Sequence, residues 1–488
     1  MSEERQRLTN LVNGRLSPPR SGRWLDVHEP ATGEVYALVP DSGAEDVAEA
    51  VAAAERAAPT WAATPVAERA RLLSRLADLV EHDTPGFAEA ESRDTGKPVA
   101  LARRLDIPRA VSNLRFFAAA ATQFASESHS MESGGFNYTL RQPLGVVACI
   151  SPWNLPLYLF TWKIAPALAA GNAVVAKPSE VTPYTAWMLG RLALEAGIPP
   201  GVLNIVHGSG PSCGAPLVAH PGVKAISFTG STKTGAAIAA QAAPQFRKLS
   251  LELGGKNPFV VFADADFDRA VDTAVRAAFL NQGQICLCGS RVMIESSIYE
   301  RFRDAFLEKA AALKPGDPSL PDTEFGAIVS QQHFEKVMGC IALAREEGGR
   351  VLLGGQRAHV PGRCAEGWFI APTVIEGLVA DCRTNTEEIF GPVATLMPFD
   401  SADEALAMAN CGPYGLAASV WSSNLDTAHR FAARVEAGIV WVNCWLLRDL
   451  RTPFGGIKQS GVGREGGMEA MRFFTEPRNV CVALGPGA

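Results

Sequence analysis

The sequence predicts an α/β protein with a doubly wound parallel sheet, and three observations support this class. Helical patterns rich in Ala, Leu, Arg and Glu alternate with short β-branched or apolar runs, and Gly and Pro separate them. A chain of 488 residues can bury a large core and usually forms more than one domain. The composition, 47% hydrophobic and 20% charged, is typical of a soluble globular protein.

The elements of the first sheet are predicted between residues 144 and 262. Apolar runs bounded by Gly or Pro predict strands at Gly145–Ile150, Ala173–Lys177, Leu203–His207, Ala225–Thr229 and Pro258–Phe262. A helix is predicted over Thr182–Ala196, because Pro183 stands at an early helical position and Gly197 follows the last turn. Five strands with helical crossovers are enough for a doubly wound sheet.

The same alternation continues toward the C-terminus. Helices are predicted over Asp266–Phe279 and Glu300–Ala312, and "IVWVN" predicts a buried strand at Ile439–Asn443. We therefore expect a second α/β domain over roughly residues 255 to 460.

Bulk properties argue against several classes of partner. A net charge of -6 and a pI near 5.9 do not favour nucleic acid. The uncharged stretch Gln142–Trp162 is long enough to cross a bilayer, but three prolines and Asn154 favour a strand, a turn and a helix instead. The start "MSEERQRLTN" lacks a secretory signal, so we expect a cytoplasmic protein without membrane contact. Ten scattered cysteines without CxxC or Cys/His spacing predict free thiols and no metal site.

Two segments suggest a nucleotide site, although no GxGxxG follows a predicted strand. In "SFTGSTKTG", Gly230 ends a strand and Ser231 begins a helix, whose free amides can hold a pyrophosphate. In "AKPSE", Lys177 ends a strand, and the carboxylate of Glu180 can accept ribose hydroxyls and repel a 2′-phosphate. The alternatives are an ordinary helix cap and a solvated loop pair.

The stretch "NQGQICLCGS" contains Cys286 and Cys288, which are candidates for a nucleophile, for metal ligands or for packing. A thiol nucleophile needs a base and donors for the oxyanion. Glu252 in "LELGGKNP" is the candidate base, because its apolar neighbours would raise its pKa. Asn154 in "SPWN" is the candidate oxyanion donor. Taken singly, each of these residues also fits a turn or a packing position.

Seven motifs in one order carry a resemblance over essentially the whole chain. They are "SPWN", "KPSE", "FTGS", "LELGGKNP", "GQICL", "EEIFGP" and "PFGG". In this order the chain resembles the NAD(P)-dependent aldehyde dehydrogenase superfamily. The resemblance implies a Rossmann-like NAD-binding domain (residues 1–124 and 143–254), a catalytic domain (255–460) and a small β oligomerisation flap (125–142 and 472–488). It also implies a homodimer or a homotetramer.

The resemblance assigns roles to the candidate residues. Cys286 looks like the nucleophile, with its own amide and Asn154 holding the oxyanion, while Glu252 activates water and Cys288 packs beside them. The cofactor contacts implied by the resemblance are Trp153, Lys177, Glu180, Gly230, Ser231, Glu388 and Phe390. Because Glu180 is present, NAD is favoured over NADP.

Two arginines suggest the class of substrate. Arg109 and Arg448 fall near the substrate-channel segments of the family, and an arginine pair can hold a carboxylate. With "CLCGSR", these segments are similar to the branch that oxidises muconic semialdehydes. We expect 2-aminomuconate 6-semialdehyde, with the 2-hydroxy analogue as the alternative. Arg109 could instead be a surface charge, with Arg104 in its place, and Arg448 could form an inter-subunit ion pair.

Three other functions are weighed against this one. A broad-specificity aldehyde dehydrogenase would use the same nucleophile without the arginine pair. A nucleotide-binding structural protein would be expected to have lost Cys286 or Glu252. A cysteine hydrolase needs a His partner, and the sequence connects none of the eight histidines to Cys286.

Overall fold

The computed structural model describes residues 5–132 and 134–484. Its first twelve strands are β1 Gln6–Arg7, β2 Asn10–Val12, β3 Arg15–Ser17, β4 Trp24–His28, β5 Val35–Pro40, β6 Ser128–Ser130, β7 Phe136–Pro143, β8 Val146–Ile150, β9 Ala173–Lys177, β10 Leu203–Ile205, β11 Val223–Thr229 and β12 Lys248–Glu252. The remaining strands are β13 Pro258–Val261, β14 Arg291–Glu295, β15 Arg350–Leu353, β16 Thr373–Glu376, β17 Val393–Phe399, β18 Tyr414–Gly415, β19 Ala417–Trp421, β20 Ile439–Val442, β21 Ile457–Lys458, β22 Gly461–Val462 and β23 Thr475–Val482.

The helices lie between these strands and cover the sheets. They are α1 Ala44–Ala63, α2 Val66–His82, α3 Thr84–Thr95, α4 Val99–Leu101, α5 Ile107–Thr122, α6 Pro156–Ala169, α7 Tyr184–Ala196, α8 Ala215–Ala219, α9 Thr232–Ala242, α10 Phe267–Phe279, α11 Tyr299–Ala312, α12 Gln331–Glu346, α13 Arg383–Thr386, α14 Ala402–Asn410, α15 Leu425–Arg434 and α16 Gly467–Phe473. A π-helical turn, Ala102–Asp106, leads into α5. In the described part of the chain, no helix is both long and apolar enough to cross a membrane.

The first sheet has eight strands in the order β22-β12-β11-β8-β9-β10-β2-β3. Its five central strands, from β12 to β10, are mutually parallel, as the α/β pattern predicts. Helix α7 begins at Tyr184 rather than Thr182, with Pro183 at its N-cap, and Gly197 ends it in the left-handed conformation (φ 86°). A glycine adopts that conformation without the strain that a Cβ would cause.

The second sheet has seven strands in the order β15-β16-β17-β14-β13-β19-β20. The predicted strand Pro258–Phe262 forms here, as β13, so its placement in the first sheet was wrong. Lys248–Glu252, for which we predicted no strand, takes the fifth parallel position in the first sheet as β12. Five residues separate β12 from β13, so the chain changes sheets within a very short connection. The pattern of apolar residues predicts a strand but not its partner.

The remaining boundaries differ from the predictions by at most two residues. Strand β8 begins after Gly145, strand β10 ends two residues before His207, and β11 begins at Val223. Helices α10 and α11 and strand β20 each lie within one residue of their predicted ends. The stretch from Gln142 to Trp162 forms the predicted strand, turn and helix, and α6 is buried along its whole length.

A third, antiparallel sheet of order β23-β7-β6 lies within the two segments proposed for oligomerisation. Residue 133 of the first segment and residues 485–488 of the second lie outside the described residues. The predicted boundary between residues 254 and 255 falls in the connection between β12 and β13, but the division into domains stays a prediction. All ten cysteines are free, as their spacing predicts.

Candidate active site

The catalytic candidates lie where the carboxyl ends of the strands of the first sheet meet the amino ends of the strands of the second sheet. Asn154 follows β8, and Glu252 is the last residue of β12. Cys286 lies in the segment that leads into β14. Because the carboxyl ends of parallel strands share one edge, residues distant in sequence converge there, as in other open α/β sheets.

The segment before Cys286 has an unusual backbone. Asn281 and Gln282 are both left-handed, with φ of 54° and 55°. A Cβ on Gly283 (φ 70°) would lie 2.1 Å from the carbonyl oxygen of Gly391, so only glycine fits there. Asn257 Nδ2 donates to the carbonyl oxygens of Cys286 (2.7 Å) and Cys288 (2.9 Å). These contacts fix the position of the nucleophile loop.

The two cysteines of this loop have different surroundings. Cys286 lines two cavities at once, one bounded by the nucleotide candidates and one bounded by the arginines. Cys288 is 6% exposed and packs in the main hydrophobic core. Burial raises the pKa of the Cys286 thiol above its usual range, and the nearby carboxylates of Glu252 and Glu388 raise it further. The thiol therefore needs help to lose its proton.

Glu252 lies on the second of these cavities, beside Cys286. Its carboxyl group is buried, and within the described residues Oε1 has no hydrogen-bond partner. Burial raises the pKa of Glu252 well above its usual range, and the neighbouring Glu465 raises it further. Lys163 and Arg448 oppose this rise. A carboxylate with a raised pKa is suited to accept a proton from water or from a thiol.

An ion pair close enough to influence the pKa of Glu252 was not predicted from the sequence. Lys163 Nζ lies 2.7 Å from Glu465 Oε1, and Ser227 Oγ lies within 3.1 Å of both groups. Lys163 is fully buried on α6. It is the first charged residue after the uncharged stretch that ends at Trp162, and a lone buried lysine in an apolar helix is a recognisable signal of function.

Asn154 is held by contacts to both its backbone and its side chain. Its Nδ2 donates one hydrogen to the carbonyl oxygen of Gln284 at 3.0 Å, and among the described residues its second amide hydrogen has no acceptor. Its own carbonyl oxygen accepts from Lys97 Nζ at 3.1 Å and from Asn281 Nδ2 at 3.2 Å. Lys97 is fully buried and also pairs with Asp106 at 3.1 Å. Neither Lys97 nor Asp106 was among the sequence candidates.

The first cavity collects most of the cofactor candidates. Its lining includes Cys286 and Asn154 together with the candidates Trp153, Gly230, Ser231, Glu388 and Phe390. Glu388 Oε1 accepts the amide hydrogen of Gly255 at 2.8 Å, and burial raises the pKa of the Glu388 carboxyl. The lining of this cavity therefore combines the aromatic rings of Trp153 and Phe390 with the carboxyl group of Glu388 and the thiol of Cys286.

His333 and Lys336 also line this cavity, and sequence reasoning did not find them. The rings of Trp153, His333 and Phe390 pack edge to face with centroids 5.0 to 6.1 Å apart. His333 Nε2 donates to the carbonyl oxygen of Phe390 at 2.7 Å, which holds that residue in its left-handed conformation (φ 60°). Burial lowers the pKa of His333 to about 4, so its ring is neutral near pH 7.

Lys177 and Glu180 lie farther along the same sheet edge, at the end of β9. Lys177 Nζ is 3.2 Å from Glu180 Oε2, and the side chains are 5% and 33% exposed. Ser231 caps α9, because its Oγ accepts the amide hydrogen of Thr234 at 3.2 Å. The preceding amides of the first turn have no intrahelical acceptor. The roles of Lys177, Glu180 and Ser231 as adenosine and pyrophosphate contacts remain predictions.

The second cavity contains both arginine candidates. Arg109 and Arg448 line it together with Cys286, Glu252 and Tyr158. Arg448 stacks on Phe454, with its guanidinium carbon 3.9 Å from the ring centroid. Arg104, the alternative to Arg109, lines surface grooves elsewhere.

Cys286 thus lies between a cavity lined by the cofactor candidates and a cavity lined by two arginines, an arrangement that suits a thiol-dependent oxidoreductase. Family comparison gives the same class: the family model described as "Aldehyde dehydrogenase family" matches residues 17–480. The chain belongs to the aldehyde dehydrogenase family.

Relatives and solved structures agree with this assignment. The chain is 50% identical over 478 residues to 2-aminomuconic semialdehyde dehydrogenase of Danio rerio, covering 97% of this chain and 98% of the relative. It is 47% identical over 483 residues to 2-hydroxymuconic semialdehyde dehydrogenase of Pseudomonas sp. (strain CF600), covering 98% and 99%. The NAD⁺ complex of an aldehyde dehydrogenase from Bacillus cereus superposes with a TM-score of 0.96 at 39% identity, covering 98% and 97%.

Proposed function

We propose that this chain oxidises 2-aminomuconate 6-semialdehyde to 2-aminomuconate with NAD as the electron acceptor. The observation that carries this proposal is the position of Arg109 and Arg448 on the cavity that contains Cys286. Within the described residues no ion pair involves either guanidinium, whereas their neighbours Arg115 and Arg451 both pair with carboxylates. Two unpaired guanidinium groups near a thiol suit a substrate with a carboxylate at one end and an aldehyde at the other.

Oxidation begins with addition of the Cys286 sulfur to the aldehyde carbon, which gives a thiohemiacetal. The free amide hydrogen of Asn154 and the backbone amide of Cys286 would stabilise the oxyanion. The thiol loses its proton to solvent before the addition, and the positive charge of Arg448 favours the thiolate because it lowers the raised pKa of Cys286. Collapse of the oxyanion expels the hydride from the former aldehyde carbon and leaves a thioester on Cys286.

The thioester is then hydrolysed. Glu252 removes a proton from water, the hydroxide adds to the thioester carbon, and the carbon–sulfur bond breaks to release the acid and the thiolate. The two members of the Lys163–Glu465 pair influence the pKa of Glu252 in opposite directions: Glu465 raises it and Lys163 lowers it. This pair can therefore keep Glu252 within the range in which it both accepts and returns a proton.

The residues of the first cavity fit NAD. The free amides at the start of α9 suit a pyrophosphate, and Glu180 suits the two ribose hydroxyls of NAD while disfavouring a 2′-phosphate. Trp153, Glu388 and Phe390 would hold the nicotinamide end near Cys286, since all four residues line one cavity. When bound, NAD supplies the hydride acceptor. Lys177 would contact the adenosine ribose from the end of β9.

A second candidate substrate is 2-hydroxymuconic semialdehyde, which has the same carboxylate and aldehyde termini. Relatives with that name are 45% and 47% identical to this chain, close to the 46% to 50% of the 2-aminomuconic enzymes. The two arginines would hold either compound. We favour the amino compound because four vertebrate relatives of that name match at 48% to 50%.

The test is NADH formation by the purified protein with three aldehydes at matched concentrations. These are 2-aminomuconic 6-semialdehyde generated in situ, 2-hydroxymuconic semialdehyde and the uncharged hexanal. We expect a kcat/KM at least tenfold higher for the acidic semialdehydes, because each charge-assisted hydrogen bond contributes about 1.5–3 kcal/mol. A higher value for hexanal would overturn the proposed substrate while leaving the family unchanged.

The same proposal includes a homodimer or a homotetramer. Strand β20 is an edge of the second sheet, and β6 and β23 are edges of the third, so each has unpaired backbone groups. Phe136 and Leu140, both on β7, are 37% and 39% exposed, so this strand offers two large apolar side chains to a partner subunit. Light scattering after gel filtration would give the mass. Leu140→Asp is expected to shift it toward the monomer, and an unchanged mass would contradict a role for this strand.

A further inference from the structure

We infer that Tyr158 is a substrate-binding residue that completes the carboxylate site with its phenolic hydroxyl. This inference rests on the proposed acidic substrate and adds a third donor, between the two arginines. Tyr158 lies in the first turn of α6, lines the cavity with Cys286 and is 6% exposed. It was not among the sequence candidates.

The hydroxyl of Tyr158 is bound to one arginine. Arg448 Nη1 donates to the phenolic oxygen at 2.8 Å, so the oxygen acts as an acceptor and retains its own proton. Within the described residues this is the only hydrogen bond of the hydroxyl. Its proton is therefore available for a ligand in the cavity. In the part of the chain that the structure describes, the Nε and Nη2 hydrogens of Arg448 have no acceptor, so they are available to the same ligand.

The ring of Tyr158 faces the other arginine. The guanidinium carbon of Arg109 lies 5.5 Å from the ring centroid, within the range of a cation–π contact. Next to this contact the two helices are joined, because Asn113 Nδ2, one turn after Arg109 on α5, donates to the carbonyl oxygen of Tyr158 at 3.0 Å. Helices α5 and α6 thus hold Arg109 and Tyr158 in a defined relation.

Arg448 is also held from the same face of α6. Trp162, one turn after Tyr158, lies under the guanidinium at 5.3 Å, and Phe454 lies at 3.9 Å. A guanidinium fixed on aromatic rings loses little conformational entropy when it binds a carboxylate. Tyr158 is the one neighbour of Arg448 in this group that also contributes a hydroxyl. It can therefore bind the ligand directly while it orients the arginine.

The test is Tyr158→Phe, which removes the hydroxyl and keeps the ring. With the 2-hydroxymuconic semialdehyde as the probe, we expect kcat/KM to fall about tenfold, mainly through KM, because one hydrogen bond to a charged group is lost. With hexanal, kcat/KM should stay within about twofold of the wild type. The matched control is Tyr299→Phe, which removes a phenolic hydrogen bond to Glu376 (3.0 Å) far from the cavity. This control should leave both substrates unaffected.

Comparing the substrate preferences of the wild type and Tyr158→Phe distinguishes failure of this inference from failure of the proposed function. If the wild type prefers the acidic semialdehyde and Tyr158→Phe leaves that preference unchanged, the role of Tyr158 is overturned and the proposed function stands. Equal losses with both substrates would also overturn it, because a structural defect lowers both. If the wild type itself shows no preference for the acidic semialdehyde, the proposed function and the inference fall together.

Discussion

Lys163 Nζ lies 2.7 Å from Glu465 Oε1, and Glu465 lines the same cavity as the carboxyl group of Glu252. Lys163 is fully buried and Glu465 is 6% exposed, so little solvent screens the pair. The two charges influence Glu252 in opposite ways: Glu465 raises its pKa and Lys163 lowers it. The pair thus controls the pH at which Glu252 becomes a base.

Two substitutions in this pair should move the pH profile in opposite directions. Glu465→Gln removes a negative charge near Glu252, so the pKa of Glu252 should fall and the acid limb of the hydrolysis rate should move to lower pH. Lys163→Met should raise that pKa and move the limb to higher pH. Single-turnover thioester hydrolysis between pH 5 and pH 9 measures both, with the exposed Glu308→Gln on α11 as a control. Shifts in the same direction would contradict this electrostatic account.

Substitution of Arg109 or Arg448 should raise KM for acidic substrates and leave KM for uncharged aldehydes nearly unchanged. Arg448→Ala is expected to raise KM for 2-hydroxymuconic semialdehyde about 10- to 100-fold, because a bidentate charge-assisted contact is lost. Its KM for hexanal should change by about twofold or less. Arg109→Ala should act in the same direction. Arg104→Ala provides the matched control, since Arg104 is exposed and lies outside the cavity. Equal effects of Arg448→Ala on both substrates would remove its proposed role.

Substitutions of the two cysteines of the nucleophile loop should have different effects on activity. Cys286→Ala is expected to abolish NADH formation while NAD still binds, as intrinsic fluorescence quenching can show. Cys288→Ala should keep most of the activity, because this thiol packs in the core and exchanging it for alanine removes one sulfur atom. Turnover that survives in Cys286→Ala and disappears in Cys288→Ala would assign the nucleophile to the second cysteine.

A buried carboxyl group near Asn154 predicts how stability depends on pH. Glu91 is fully buried, accepts from Thr185 Oγ1 at 2.8 Å, and burial raises its pKa to about 8 from an ordinary value of 4.5. Because the folded state binds this proton more tightly than the unfolded state, Glu91 lowers stability progressively as pH rises from about 4.5 to about 8. Glu91→Gln should therefore reduce the fall in apparent Tm over this range.

The control for this measurement lies on the same helix. Glu89 is exposed on α3, so Glu89→Gln should leave the pH dependence of the apparent Tm unchanged. Some dependence should remain in Glu91→Gln, because burial also raises the pKa of Asp94 to about 7. A slope that is equal in the wild type and in Glu91→Gln would show that Glu91 is ionised in the folded protein.

The sequence predicts the framework of the site well, because strand ends and catalytic motifs are local features. Strands β8, β9, β10 and β11 and the residues that follow them were found in this way. The strand at Pro258 was assigned to the wrong sheet, since a run of apolar residues does not specify its neighbour in a sheet. Sequence order alone also did not reveal that Lys248–Glu252 pairs beside β11.

The contacts that tune the site are distant in sequence, which explains why they were missed. Lys163 and Glu465 are 302 residues apart, and Tyr158 and Arg448 are 290 apart. Only the fold brings such pairs together, and no local pattern encodes them. Lys163 did leave a signal, as a lone charge in an apolar helix. Tyr158 left none, because an aromatic residue in such a helix is most often part of a core.

The most direct test of the account is to trap the acyl group on the enzyme. Glu252→Ala, incubated with NAD and an acidic semialdehyde, should release about one NADH per active site in a rapid first turnover and then stall, because its thioester is not hydrolysed. Mass spectrometry of the peptide that contains Cys286 and Cys288 should then show the acyl group of the dicarboxylic product on Cys286. An unmodified Cys286 after the burst, or a uniformly slow first turnover, would contradict the proposed division of work between the thiol and Glu252.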